Sequence, residues 1–333
     1  MMNAYTNPAP VFIVGMNGSG TTMLLDNLGR HPELYSFPKE TRLIPYLIAQ
    51  QDRFGDLHHD GNFKKLWIEV LGLHVFHQVN NNTDVPLPQN WKDFPRSLAA
   101  VLDGVFTHFS GQAGKLRWCE KTPQHVQHIK SLAKLFSQAK FIHMIRDGRD
   151  CAASFNRRWR RTPELTIYRW KNIVTIGSYQ GLQLGKERYL EVRYEDLTLS
   201  PEKWLRQICD FLNIPFDPAI LESTQPYLQT DNVQGNSLQP NSGKWENYFG
   251  PKIRRRLEQI SGNTLAKFGY TTNYPNSNED ISWLNRRYWS AKDALVQYVR
   301  EIMLKLSGRI ERPWHVILSK PFIAFKQRGH NKY

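Results

Sequence analysis

Cysteine is scarce: Cys119, Cys151 and Cys209 are the only three in 333 residues, isolated and odd in number. Neither a disulfide framework nor zinc-ligand spacing is present, so the thiols are expected to be reduced, half-buried core groups. Long apolar runs are missing too; none approaches the ~20 residues that a membrane helix needs. The polar stretch Met1 to Pro10 leaves no room for a secretory leader before the first apolar residues. From these two absences a cytoplasmic location without a transmembrane segment is expected. No internal repeat or low-complexity tract is found, and 40% apolar residues with ten tryptophans exclude a disordered chain. Acidic residues are outnumbered, 30 against 44 basic ones, for a net charge of +14. Such a field attracts anions: a nucleotide ester, an acidic acceptor, nucleic acid or an anionic surface. The basic residues are spread along the chain, so charge alone does not choose among these.

What is present begins with Val11-Phe12-Ile13-Val14, a run suited to a strand buried on both faces. A turn follows, Gly15-Met16-Asn17-Gly18-Ser19-Gly20, and Thr21-Thr22 opens a short helix that Gly29 ends. Strand, glycine turn and helix make an anion cradle, because amide N–H groups converge and the helix N-terminus adds partial positive charge. The spacing G-x-x-x-x-G-T-T is that of a Walker A loop with Thr21 in place of the lysine, which speaks against nucleoside triphosphate hydrolysis. G-x-x-G-x-G is not the dinucleotide pattern either. A phosphate or sulfate ester is the expected ligand.

Further strands are expected at Leu116–Cys119, Lys140–Ile145 and Arg188–Tyr194, each leading toward a helix. Tyr46 to Asn90 reads as polar and irregular, weakly helical around Phe63 to Val75. Phe94 to Phe109 and Gln124 to Gln138 carry helical spacing, and Pro163, Pro201 and Leu284 open three more helical segments. Buried strands followed by helices predict an α/β, P-loop-like three-layer fold: a central parallel sheet with helices on both faces and the ligand at the strands' C-terminal ends. Charged groups stand at those ends. Lys121 follows the Leu116–Cys119 strand, beside Glu120, where a surface ion pair is the plain alternative. Arg146 ends the next, and Ser154 lies eight residues on; an ion pair of Arg146 with Asp147 or Asp150 is the alternative there. Arg157 to Arg161 reads as a solvated basic face rather than a nucleic-acid stripe, so no nucleic-acid partner is expected. Thr230 to Trp245 has no periodicity and reads as a long loop of the kind that closes over a site.

Gly18-Ser19-Gly20-Thr21-Thr22, followed by His31-Pro32, resembles the 5′-phosphosulfate loop of sulfotransferases that use 3′-phosphoadenosine 5′-phosphosulfate (PAPS). Glu40-Thr41-Arg42 with Ile44-Pro45 is similar to protein-tyrosine sulfotransferases and their bacterial relatives. Glu120-Lys121-Thr122-Pro123, the Arg146/Ser154 pair and Gly243-Lys244-Trp245 extend the resemblance over about residues 8 to 270. It implies in-line transfer of a sulfuryl group from PAPS to an acceptor hydroxyl with no obligatory metal. Glu40 would be the base, with His31 and Glu120 in reserve, and Lys121 would stabilise the leaving side. Asn17, Gly18, Ser19, Gly20, Thr21 and Thr22 would hold the 5′-phosphosulfate, and Arg146 and Ser154 the 3′-phosphate, over which the loop with Lys244 would fold. Thr230 would also lie on the nucleotide, as would Tyr194, for which a packed strand aromatic is the alternative. Acceptors of this fold include tyrosine peptides, carbohydrates and small alcohols. The family usually has a basic residue where Gly18 stands, so Lys121 alone, or Lys39, would supply that charge. Rival readings are a P-loop kinase and a non-catalytic anion- or nucleic-acid-binding module. The division expected is a sulfotransferase domain at 8–272 and a helical, basic extension at 273–333, with docking on the core, a homodimer contact or an anionic surface open to its basic and aromatic end, Arg309 to Tyr333.

Overall fold

The computed structural model describes residues 9–222, 238 and 240–307. They form two compact units, one from Met1–Arg146 and Ile173–Asn241, the other from Asp147–Asn172 and Ser242–Tyr333.

The first unit is built on β1 (Val11–Gly15), β2 (Leu34–Ser36), β3 (Arg117–Lys121), β4 (Lys140–Ile145) and β5 (Tyr189–Arg193). They lie in the order β2-β3-β1-β4-β5, and every pair is parallel. Because strand side chains alternate, β1 feeds two cores at once. Phe12 and Val14 pack with Trp118, Phe141 and the helices Asp60–Leu71 and Leu98–Gln112. Val11 and Ile13 pack with Cys119, Ile142, Val192 and the helices Thr21–Leu28 and Pro201–Leu212. That is the expected three-layer α/β arrangement. All three cysteines are buried, and none is in a disulfide.

Register fixes which residues reach the sheet's C-terminal edge. Ile13 is opposite Lys121, and Gly15 is opposite Met144. The glycine turn, Lys121-Thr122, Arg146 and Tyr194 therefore all follow directly on strands that end along one edge.

Several elements differ from expectation. The three-residue β2 is too short to leave a periodic signature. Tyr46 to Asn90 is more helical than expected: the helical part around Phe63 to Val75 is present as Asp60–Leu71 and His74–Val79, and Ile44–Ala49 is a further helix that starts just before the stretch. Phe63, Leu66, Trp67, Val70, Leu71 and Phe76 are buried while Tyr46 and Ile68 are exposed, so one packed face holds these helices although the stretch is polar on average. The single helix expected from Gln124 to Gln138 is a 3₁₀ segment, Pro123–His128, followed by a short α-helix, Ile129–Leu135.

In the second unit the helix Gly148–Trp159 is capped by Asp147, whose carboxylate accepts from the Arg149 amide at 2.8 Å. Gly148 has to be glycine, since a Cβ there would lie 2.4 Å from the Trp170 ring. Arg149 is buried, donates to Glu258 at 2.6 Å and Asp147 at 2.7 Å, and lies 4.0 Å over Trp245. Burial alone would weaken its hold on the proton, but the two carboxylates raise its pKa.

Phe12 stacks on Phe141 at 5.3 Å and meets Trp118 edge-on at 5.5 Å. Phe12→Ala removes the ring these share, with an expected cost of about 3–5 kcal/mol. Denaturant unfolding should show a lower midpoint at an unchanged slope; an unaltered midpoint would mean that the sheet does not depend on this ring.

Candidate active site

Three positive-φ glycines shape the turn after β1: Gly15 at 154°, Gly18 at 87° and Gly20 at 93°. At Gly15 a Cβ would stand 2.4 Å from the Met144 carbonyl oxygen, and at Gly20 it would stand 2.6 Å from the Tyr194 ring. Side chains are excluded there by backbone angle and by space alike. Gly20 is the N-cap of Thr21–Leu28 and offers no side-chain cap, which leaves the first-turn amides directed at the loop's concavity. Ser19 takes another part. Its hydroxyl donates to the Met16 carbonyl at 2.7 Å and its amide to the same oxygen at 3.1 Å, so it holds the loop's shape.

Arg146, leaving β4, donates to the Gly18 carbonyl at 3.0 Å and also to the Asn241 carbonyl. Its guanidinium lies 4.4 Å over the Tyr194 ring. Loop, arginine and tyrosine are thus in contact: Tyr194 lies against Gly20, Arg146 lies over the Tyr194 ring, and Arg146 binds the Gly18 carbonyl. Arg146 is the basic group that touches the loop at Gly18, where the sequence itself has none.

Lys121 and Glu40 come together, Nζ to Oε1 at 2.9 Å, with the lysine almost wholly buried. The other oxygen of Glu40 accepts from Arg42 Nε at 2.8 Å and from its Nη2. Eighty-one residues separate the pair in sequence. A buried cluster brings them together. Glu120 is fully buried, and one of its oxygens accepts from the Thr41 amide at 3.1 Å, the Thr41 hydroxyl at 2.9 Å and the Thr122 hydroxyl. The other oxygen faces His125 Nδ1 at 3.1 Å, and Thr122 Oγ1 accepts from the Thr41 amide at 3.0 Å. Arg42, directly after Thr41, has a φ of 31°, a constrained angle held by these bonds. Burial would raise the Glu120 pKa, but His125, Thr122 and the Thr41 amide outweigh it and hold the carboxyl below its ordinary 4.5.

The reserve bases are thereby accounted for. Glu120 is committed inside the cluster. His31 is buried, accepts the Glu33 amide on Nδ1 at 3.1 Å and meets the Pro215 carbonyl through Nε2 at 2.8 Å, so both ring nitrogens are used.

In the second unit, Ser154 is buried on the Gly148–Trp159 helix. Lys244 is exposed at the start of Trp245–Tyr248. The backbone on either side of it is clipped to Asp150, which accepts from the Gly243 amide at 2.7 Å and the Trp245 amide at 3.1 Å. Asp150 is therefore the anchor of the Gly-Lys-Trp turn. Sequence reading offered Asp150 only as an ion-pair partner for Arg146 and had no signal for a carboxylate that binds backbone 93 residues away. Thr230 lies outside the described residues. Among the described residues no group of three or more His, Cys, Asp or Glu side chains is placed to hold a metal ion.

A glycine cradle for an ester anion, beside a carboxylate and an ammonium at the edge of a parallel sheet, defines a group-transfer enzyme of the P-loop-like α/β class. The model of the Sulfotransferase family matches residues 10–218, and the chain belongs to that family: it is a sulfotransferase, which moves a sulfuryl group to a hydroxyl-bearing acceptor. It is 31% identical over 285 residues to protein-tyrosine sulfotransferase 1 of Danio rerio, covering 78% of this chain and 72% of that one. Identity to the protein-tyrosine sulfotransferase of Drosophila melanogaster is 25% over 320 residues, 87% of this chain and 59% of the other. The chain thus spans about three-fifths to three-quarters of these relatives' length. Among solved structures it is similar to the sulfotransferase domain of the Synechococcus PCC 7002 olefin synthase, with a TM-score of 0.50 and 26% identity over 82% of this chain and 98% of that one.

These relatives correct one expectation. Protein-tyrosine sulfotransferases are Golgi membrane enzymes, which overturns the cytoplasmic location expected from sequence. That expectation rested on the lack of an apolar run, and a lack carries no address. No described helix is long and apolar enough to cross a membrane, which states only that.

The depressed Glu120 pKa gives a signed test. Its contribution to stability is present above the unfolded value near 4.5 and is lost as pH falls through the lower folded value. Glu120→Gln should cost about 1.5–3 kcal/mol at pH 7, the worth of hydrogen bonds to a charged group. The gap between variant and wild type in denaturant melts should narrow progressively below pH 4.5. A gap that stays constant down to pH 3 would mean that the Glu120 charge contributes nothing to the fold.

Proposed function

We propose that the chain transfers the sulfuryl group of PAPS in line to an acceptor hydroxyl, with Glu40 as general base and Lys121 as the cation on the leaving side. The observation that carries this reading is the 2.9 Å Lys121–Glu40 contact at the edge where the glycine loop ends. When bound, PAPS supplies a sulfuryl group joined to a good phosphate leaving group. The loop fits its 5′-phosphosulfate: three positive-φ glycines leave no Cβ in the concavity, and the helix start has no side-chain cap. Asn17, Gly18, Gly20, Thr21 and Thr22 would hold that group through backbone amides and hydroxyls, with Ser19 keeping the loop in shape. Arg146 and Ser154 would hold the 3′-phosphate, and Tyr194, Lys244 and Thr230 the remainder of the nucleotide. On this reading the sulfotransferase domain would be residues 8–272, with 273–333 as an extension.

Each Glu40 oxygen has a different part. Oε1 faces the buried Lys121, while Oε2 faces Arg42, whose side chain is 64% exposed. An exposed ion pair contributes at most about 1 kcal/mol, so the acceptor hydroxyl can displace Arg42 and present its proton to Oε2. Lys121 stays at Oε1, orienting the carboxylate and placing positive charge where the bridging oxygen develops negative charge. Among acceptors, a tyrosine hydroxyl in a peptide is best supported, by the protein-tyrosine sulfotransferases to which the chain is similar; the basic net charge favours acidic sequence around it.

Ligand choice tests the donor. 3′-Phosphoadenosine 5′-phosphate at a hundredfold excess over its dissociation constant should stabilise the fold by about 2.7 kcal/mol, and ATP with Mg²⁺ by much less. Equal thermal shifts from both would favour a kinase. For the base, Glu40→Gln keeps shape but cannot take the proton. It should lower kcat by ~10²–10⁴-fold on a tyrosine peptide while nucleotide affinity, read by calorimetry, holds. Wild-type turnover in the variant would remove Glu40 from the mechanism; turnover only on glycans or small alcohols would replace the tyrosine acceptor.

A further inference from the structure

The helix Trp283–Leu306 has the amphipathic pattern of a core helix, yet it is mounted with the faces reversed. The side that faces the rest of its own unit is held by polar groups, with half-buried Trp289, Val296 and Leu304 beside them. Asp293, 1% exposed, accepts from the Thr162 amide at 3.0 Å and hydroxyl at 2.8 Å. Arg286 donates to the Tyr168 hydroxyl at 2.5 Å, Ser290 accepts from Arg169 at 3.4 Å, and Gln297 donates to the Trp159 carbonyl. At about 100° per residue these four share one face. On the opposite face Leu284, Tyr288, Leu295, Val299, Met303 and Leu306 are 71%, 66%, 62%, 40%, 64% and 72% exposed.

We propose that this outward stripe is a docking surface for an anionic lipid bilayer, on which the helix lies in the plane of the headgroups. Four facts of the helix point there. Its apolar stripe runs for about 33 Å, and a continuous exposed band of that kind marks an interaction site. The spacing Leu284–Leu295–Leu306 and Tyr288–Val299 is an eleven-residue repeat, which keeps the stripe on one side of a nearly straight helix and not on the left-handed seam of a heptad coil. Basic residues flank it, Arg287 and Lys305 on one side and Lys292 on the other, and Arg287 lies 4.8 Å over the Trp283 ring. The helix has two acids, Asp293 and Glu301; Asp293 is buried, and Glu301 is in line with the inward Gln297. Leucine and aromatic side chains between basic flanks are the composition of an interfacial helix.

Charge decides between possible occupants. A second copy laid on the stripe would bring the same basic flanks together. Residues 309–333 of this chain carry six Lys or Arg against one Glu, so they repel the flanks as well and add to the attraction for an anionic surface. This reading does not depend on the sulfotransferase mechanism.

The full chain is to be mixed with phosphatidylcholine vesicles containing roughly one third phosphatidylserine, and with pure phosphatidylcholine vesicles, and bound protein read by flotation at physiological salt. Binding to the anionic vesicles and little to the neutral ones is expected. Leu295→Asp with Val299→Asp changes exposed positions only, so the thermal melt and the binding of 3′-phosphoadenosine 5′-phosphate should match wild type. Vesicle partitioning should fall by tenfold or more, about the loss of one buried leucine. Three results would overturn the proposal: no binding to anionic vesicles, binding that the double variant retains in full, or a concentration-dependent dimer in sedimentation velocity that the variant abolishes while vesicles bind neither protein.

Discussion

One buried carboxylate holds the C-terminal edge of the sheet together around Glu40 and Lys121. Glu120 has no contact with solvent, and its oxygens are filled by Thr41, Thr122 and His125. An unpaired carboxylate there would be prohibitively costly, so the turn that supplies its partners is fixed in position. That turn also carries Glu40, and the strand that supplies Glu120 carries Lys121 next along it. The carboxylate–ammonium pair is a consequence of the cluster beneath it. The Glu-Thr-Arg and Glu-Lys-Thr strings, far apart in the chain, are two halves of one hydrogen-bonded unit.

The sheet sets where that unit can act. With β1 central and both faces covered, side chains reach a ligand only at the strands' C-terminal ends. The glycine loop, Lys121, Arg146 and Tyr194 occupy those ends, and each is constrained by a neighbour: Gly20 by Tyr194, Tyr194 by Arg146, Arg146 by the Gly18 carbonyl. Preorganisation of this sort lets fixed dipoles and charges work on a transferring group without rearranging. In the second unit the same device recurs on a smaller scale, where Asp150 clips the Gly243-Lys244-Trp245 turn through two backbone amides.

Much of this was legible in the chain. Val11 to Val14, Lys140 to Ile145 and Arg188 to Tyr194 announce buried strands because parallel strands covered on both faces must be apolar throughout. The glycine loop is legible because a missing Cβ is a property of sequence, and the family resemblance that it carries is borne out by the Sulfotransferase family match. Less legible were β2, too short for periodicity, and the six-residue helix Ile44–Ala49, which is hardly longer than a turn and a half. A location could not be read from missing segments, as the relatives of this chain make plain.

The sequence by itself determined the local chemistry: where the chain turns with positive φ, which runs are apolar enough to be strands, and which charged residues end them. Tertiary structure alone decided the pairings. That Glu40 meets Lys121, that Asp150 binds the Gly243 amide, and that Arg146 reaches the loop where Gly18 lacks a side chain are contacts across 81, 93 and 128 residues. The helix Trp283–Leu306 shows the division most sharply. Its periodicity fixed that it has an apolar stripe, but which face turns inward depended on Thr162, Tyr168 and Trp159 offering polar partners that only the folded chain brings to it. Periodicity is a property of one segment, whereas the side that is buried is a property of what it is packed against.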